Sequence, residues 1–222
     1  MTIRRLGAAC LTFIAIAAPA LARELVCERT APRITVTVRA AEPALDETQT
    51  RVQLTEQSRH LLPGNAHTLG LYNAIWRMSA QRQLGTLTES NVPQPRACIR
   101  LDHVEVTIEI DTRTIFVARE LNPGSCRHAA VLEHERRHQA VDDDVLRRHT
   151  PWLREKLARD LAGLFTAKPI RARDLEASQA RVVAESDRAI NAAWKTINDE
   201  RERLQRDVDT PEEYARVNTA CR

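Results

Sequence analysis

Aromatic side chains make up only 4% of the chain, and acidic and basic residues nearly balance, leaving a net charge of +3. These two scarcities together exclude the usual nucleic-acid-binding face, which needs a strongly basic patch and often aromatic platforms for the bases. Long apolar runs are missing after the first 22 residues, so no later segment is apolar enough to cross a bilayer. No stretch repeats, which excludes a tandem array.

What the sequence does contain begins with an export signal. Met1 to Ala22 reads as a secretory peptide: Arg4 and Arg5 open it, an apolar run follows from Leu6 to about Ala18, and Ala20-Leu21-Ala22 matches the small-x-small cleavage pattern. Its removal takes away two positive charges and lowers the balance from +3 to about +1. The sequence therefore predicts a periplasmic or secreted protein, with residues 23–222 forming one domain that carries long C-terminal helices and no integral membrane segment. Cys10 falls in the discarded peptide, and Cys27, Cys98, Cys126 and Cys221 remain. An even count in an oxidising compartment implies two disulfides with three possible pairings. The expected pairing joins Cys98 to Cys126 and Cys27 to Cys221.

The stretch Glu133-His134-Glu135-Arg136-Arg137-His138 contains the pattern H-E-x-x-H. Residues four apart on a helix share a face, so both imidazoles can reach one metal ion, with the Glu beside it as a proton acceptor. The pattern arises by chance in roughly one chain in two hundred of this length, so the surroundings must decide. At 100° per residue, Ala130, His134, His138, Val141 and Val145 form one stripe, while Arg136, Asp143 and Arg147 fall opposite. Glu135 flanks the inner stripe beside Asp142. The alternative is a pair of core histidines hydrogen-bonded to neighbours. An apolar stripe seldom carries two imidazoles without a partner, which favours metal. His134 and His138 are thus the candidate Zn²⁺ ligands and Glu135 the candidate catalytic base.

Around this motif the periodicity predicts an α+β fold, with short antiparallel strands packed against the motif helix and a helical C-terminal half. Ile34, Val36 and Val38 alternate as a half-buried strand, and Ala41 to Thr50 reads as a loop. Helices are expected from about Arg51 to Leu62, ending at Pro63-Gly64, and from about Asn65 to Gln83, the second carrying Leu69, Tyr72, Ile75, Trp76 and Met78. His60 and His67, lone histidines near that junction, read as structural. A hairpin follows, Ile99 to Ile110 and Thr114 to Arg119, about a turn at Asp111-Thr112-Arg113. Its second strand is placed to bind an extended peptide by strand addition. Asn122-Pro123-Gly124 suits a tight turn and Ser125 a helix cap. The motif helix is expected to run to about His149 and break at Thr150-Pro151, where a shorter helix to about Phe165 begins. A long helix from about Ile170 to Gln205 carries Leu175, Val182, Ile190, Ala193, Ile197 and Leu204 inward. Thr210-Pro211-Glu212-Glu213 reads as a capping box opening a terminal helix.

A catalytic zinc needs a third protein ligand and an open position for water. Asp142 lies about 12 Å from His134 along the helix axis, too far to share one ion, and is better suited to orienting a histidine. Glu176, Glu185 and Asp187 on the long helix are the candidates, with Glu185 favoured.

His134-Glu135-x-x-His138 resembles the zincin superfamily of metallopeptidases, and a distal carboxylate would suggest its gluzincin branch. The wider segments Ile115 to Glu120, Gly124-Ser125-Cys126 and Leu132 to His138 resemble exported bacterial proteins described as zinc-dependent proteases. The resemblance covers about a third of the chain. It implies His134 and His138 as zinc ligands, Glu135 as base, and a peptide or protein as substrate. Metzincins are disfavoured, because Val141 and Asp144 stand where that branch has Gly and a third His. The rival expectation is a non-catalytic envelope protein whose His pair is structural or a relic, and whose helices from Pro151 onward bind a partner through an exposed apolar stripe.

Overall fold

A computed structural model describes residues 24–61 and 67–221. The signal assigned to Met1–Ala22, and the junction at Pro63-Gly64 and Asn65, lie outside the described residues. The chain is α+β: a five-stranded sheet carries four helices, and the C-terminal half is helical.

The strands are β1 (Arg33–Ala40), β2 (Ala44–Asp46), β3 (Gly70–Thr88), β4 (Arg96–Val117) and β5 (Ile170–Arg171). The 22-residue β4 is the spine. Along one edge it pairs antiparallel with β3. Antiparallel β5 and parallel β1 and β2 pair with successive parts of it: Arg96–Ala97, then His103–Ile110, then Thr114–Phe116. The sheet is therefore mixed rather than built from short antiparallel strands.

Two sequence expectations fail here for identifiable reasons. No turn occurs at Asp111-Thr112-Arg113, because β4 runs straight through it. On β3 a single residue, Ile75, spans the step between Ala74↔Arg113 and Trp76↔Ile110, while β4 spends two, Asp111 and Thr112. That is a β-bulge, and it switches the buried parity from Val104, Val106, Ile108, Ile110 to Arg113, Ile115, Val117. Polar residues and a broken alternation look like a turn in sequence, yet the extra residue bends the strand without reversing it. The expected helix from Asn65 to Gln83 is instead β3, whose inward residues are Tyr72, Ala74, Trp76, Met78, Ala80, Arg82 and Leu84. Spacings of four belong to both periods, two and 3.6, so Tyr72 and Trp76 fit either. The long antiparallel partner decides for strand, and Ile75 is left 43% exposed on the other face.

The helices are α1 (Arg51–Ser58), α2 (Cys126–Asp160), α3 (Leu175–Val208) and α4 (Pro211–Thr219). Gly124 sits at φ 77°, and the Ser125 side chain accepts from the His128 N–H, so the predicted turn and cap open α2. The helix does not break at Pro151; it continues to Asp160. Pro151 forfeits one backbone bond. Leu153 and Leu157, both fully buried beyond it, hold the helix against the core.

The inner face of the sheet, α2 and α3 enclose the main core, which includes Val36, Val104, Val106, Ile108, Val145, Leu153, Leu157, Val182, Ile190, Ala193 and Ile197. A second cluster joins Ile115, Val117, Ala130, Val131 and Val217. Between them, on the same face of α2, lie His134, Glu135, His138 and Asp142, all buried. The candidate site residues occupy the gap between two apolar clusters.

The cysteines pair as Cys27–Cys98 and Cys126–Cys221, with Cα separations of 5.4 and 5.6 Å, which corrects the expected pairing. Two disulfides indicate an extracytoplasmic protein. Among the described residues no helix is long and apolar enough to cross a membrane.

Candidate metal centre

Helices α2 and α3 pack antiparallel, with His138 facing Gln205 and Asp142 facing Arg201. The same register places residue 209 opposite residue 134, and there the chain leaves α3 at its C-cap, Asp209. Its Oδ1 lies 3.3 Å from His134 Nε2 and 3.2 Å from His138 Nε2. The ligating atoms of all three residues fall within 4.8 Å of one another, a group that could hold a metal ion. The two imidazoles meet edge to face with centroids 4.9 Å apart.

The outer nitrogens of both rings are already committed. His138 Nδ1 lies 2.6 Å from Gln205 Oε1, and His134 Nδ1 lies 3.4 Å from Glu213 Oε1. Each ring therefore donates through Nδ1 and, when neutral, turns its Nε2 lone pair toward the Asp209 carboxylate oxygen. Three lone pairs converging on one point repel unless a metal ion, or a proton on an imidazole, lies between them. Ligand bonds of about 2.0–2.1 Å in a tetrahedron put donor atoms roughly 3.3 Å apart, which the two Asp209 distances match. Two imidazole nitrogens and a carboxylate oxygen suit a divalent metal ion, and the three residues form a group that could hold one.

Without a metal, protons on the imidazoles are favoured in its place. Burial alone would raise the Asp209 pKa, but hydrogen bonds from His134 and His138 outweigh it and hold the carboxyl far below its ordinary range. Burial opposes charge on both imidazoles as well, yet Asp209 and Glu135 raise both above the ordinary histidine value. Glu135, 5% exposed, is pushed up to about 7 by burial, with the neighbouring histidines pulling the other way. Its Oε1 packs so close to Gly70 of β3 that an added Cβ there would lie 2.5 Å away. Glycine is required at that crossing.

Glu213 binds Arg137 at 2.9 Å and Arg216 at 2.7 Å as well as His134, and the Arg216 hydrogen bonds foremost hold it down at about 2. The expected capping box is thus half made: the Thr210 side chain accepts from the Glu213 N–H, but the Glu213 carboxylate is turned to His134. Tyr214 donates to Asp209 Oδ1 at 3.0 Å.

Asp142 is 0% exposed and accepts from Tyr72 Oη, Trp76 Nε1, Arg201 and Gln205, the last at 2.7 Å. It serves the site from outside the ligand set, as its position on the helix predicts. The three acids expected as third ligand are elsewhere. Glu176 is exposed, Glu185 faces Arg188 at 3.7 Å, and Asp187 pairs with Arg82. In the antiparallel register Glu185 lies opposite residue 158, about 30 Å along α2 from His138. The misplacement follows from breaking α2 at Pro151, which removes the register that brings residue 209 back to the motif. The one sequence signal for Asp209 was its position just before the Thr210-Pro211 cap, where α3 has to end. His60 and His67 are exposed and lie outside the group.

The segment Thr114–Val117 is not available for strand addition, since β2 pairs with it on one edge and β3 on the other. Among the described residues β3 pairs only with β4, and beside Glu135 the Tyr72 backbone N–H bonds to the Glu135 carboxyl.

Comparison with protein-family models, with curated proteins and with solved structures gave no match.

Proposed function

We propose that this protein is an exported, zinc-dependent peptidase of zincin type, acting in the periplasm or outside the cell. The observation that carries the reading is the convergence of His134 Nε2, His138 Nε2 and Asp209 Oδ1, with the buried Glu135 in the H-E-x-x-H spacing beside them. Zinc held by His134, His138 and Asp209 would lower the pKa of a water toward about 7 and polarise a peptide carbonyl. Glu135, buried beside the pair, would take that proton and return it to the leaving amine. The Asp209 side chain is 40% exposed while the histidines are nearly covered, so approach to the site is from the Asp209 side. The test is zinc content of the purified chain and hydrolysis of a peptide library by the wild type and by Glu135→Gln. About one zinc per chain in both, with hydrolysis in the wild type alone, is the expected result. A wild type that folds without metal and resists chelators would sink the reading.

The rival reading, a partner-binding protein, calls for an apolar stripe exposed on the late helices. The apolar stripe of α3 is instead buried against α2 and the sheet, and Tyr214 is the one large exposed hydrophobic after residue 126 among the described residues.

A further inference from the structure

Gln205 does more than fill space between α2 and α3. Its Nε2 lies 2.7 Å from Asp142 Oδ1 and 3.0 Å from the His138 carbonyl oxygen. Both are acceptors, so both amide hydrogens are spent there and the orientation of the amide is fixed by its partners. Oε1 is then the atom that faces His138 Nδ1, at 2.6 Å, and an oxygen there can only accept. Asp142 in turn cannot rotate. Tyr72, Trp76 and Arg201 hold its remaining positions, and the Arg201 guanidinium stacks 5.0 Å above the Trp76 ring.

We infer that Gln205, locked by Asp142, is a positioning residue that selects the Nδ1–H tautomer of His138 and so presents the Nε2 lone pair to the metal. The inference rests on the metal reading of the site and deepens it. A neutral imidazole in solution favours the other tautomer, with the proton on Nε2, which would block coordination through that atom. The relay runs from β3 through Asp142 and Gln205 to His138, so the sheet helps to set the tautomer at the ligand. Partners of this kind typically contribute a factor of 10–100 to metal affinity.

The test uses metal-free full-length mature protein at about pH 9, where imidazoles are neutral. Long-range ¹H–¹⁵N spectra identify the tautomer of His138, and chelator competition gives the zinc affinity. The wild type should show Nδ1–H. Gln205→Leu should move His138 mainly to Nε2–H and weaken zinc roughly 10–100-fold, with unchanged far-UV circular dichroism. Gln205→Glu combined with Asp142→Asn, which keeps an acceptor facing Nδ1 and gives position 142 an amide donor for the other oxygen, should retain the Nδ1–H tautomer. Retention of Nδ1–H and of affinity in Gln205→Leu, or equal loss of that tautomer in both variants, would overturn the inference. A wild type that binds no zinc but shows the expected tautomers would sink the zinc reading and leave this assignment standing.

Discussion

Glu135, Asp209 and Gly70 each answer for a different part of the site. Glu135 is the proton carrier in the proposed reaction, and Glu135→Gln keeps the volume while removing the basic oxygen. Turnover should fall by about 10²–10⁴-fold or below detection, with zinc stoichiometry unchanged by metal analysis. In the proposed site Asp209 supplies the third donor, so Asp209→Ala should weaken zinc by at least on the order of 100-fold in a chelator competition, more than loss of an outer partner. Retained affinity in that variant would mean a different third ligand. Gly70→Ala probes the packing rather than the chemistry. Its methyl would meet Glu135 Oε1 at 2.5 Å and Val131 Cγ1 at 2.6 Å, so it should cost about 1–3 kcal/mol in a denaturant titration and displace the base.

Among the elements, α2 and β4 show how a regular element survives a local signal against it. Pro151 lies exposed inside α2, lacks an N–H, and reads from sequence as a first-turn proline. The helix persists because the residues after it are anchored in the core, which outweighs one missing bond. Pro151→Ala restores that bond with little packing to lose, and should raise the melting temperature by a few degrees, for a gain of about 1–3 kcal/mol. An unchanged or lower melting temperature would show that the proline bend is itself part of the packing. In β4 the polar Asp111-Thr112 pair marks a bulge, and β3 reads through it without reversal. For both elements the local pattern was visible, and its meaning depended on what lay alongside.

Across the whole molecule, the Cys126–Cys221 bridge ties the first residue of the metal helix to the end of α4, the segment that carries Glu213 and Tyr214. Arg127 reinforces the junction by donating to the Val217 and Asn218 carbonyls at 3.2 and 3.0 Å. Replacing both cysteines with serine should cost about 2–4 kcal/mol by relaxing the unfolded-state constraint on a long loop. Zinc affinity should fall alongside, because Glu213 loses its tether while orienting His134. Loss of stability with zinc binding untouched would show that α4 docks on its own contacts.

The sequence by itself determined the helix that carries the histidines, its cap at Ser125, its buried face, the first strand and the α+β class. These follow from contacts within a few residues, where periodicity and capping chemistry act directly. Tertiary structure alone decided which carboxylate faces the two histidines, the disulfide partners and the identity of β3. Asp209 stands 71 positions beyond His138, and only its place just before the Thr210-Pro211 cap sets it apart from the acids of α3. It reaches the histidine pair because α2 passes through Pro151 and α3 returns antiparallel in a register set by core packing. The cysteine pairing was hidden for the same reason: all four are compatible by count, and only the path of the folded chain brings particular pairs within bonding distance.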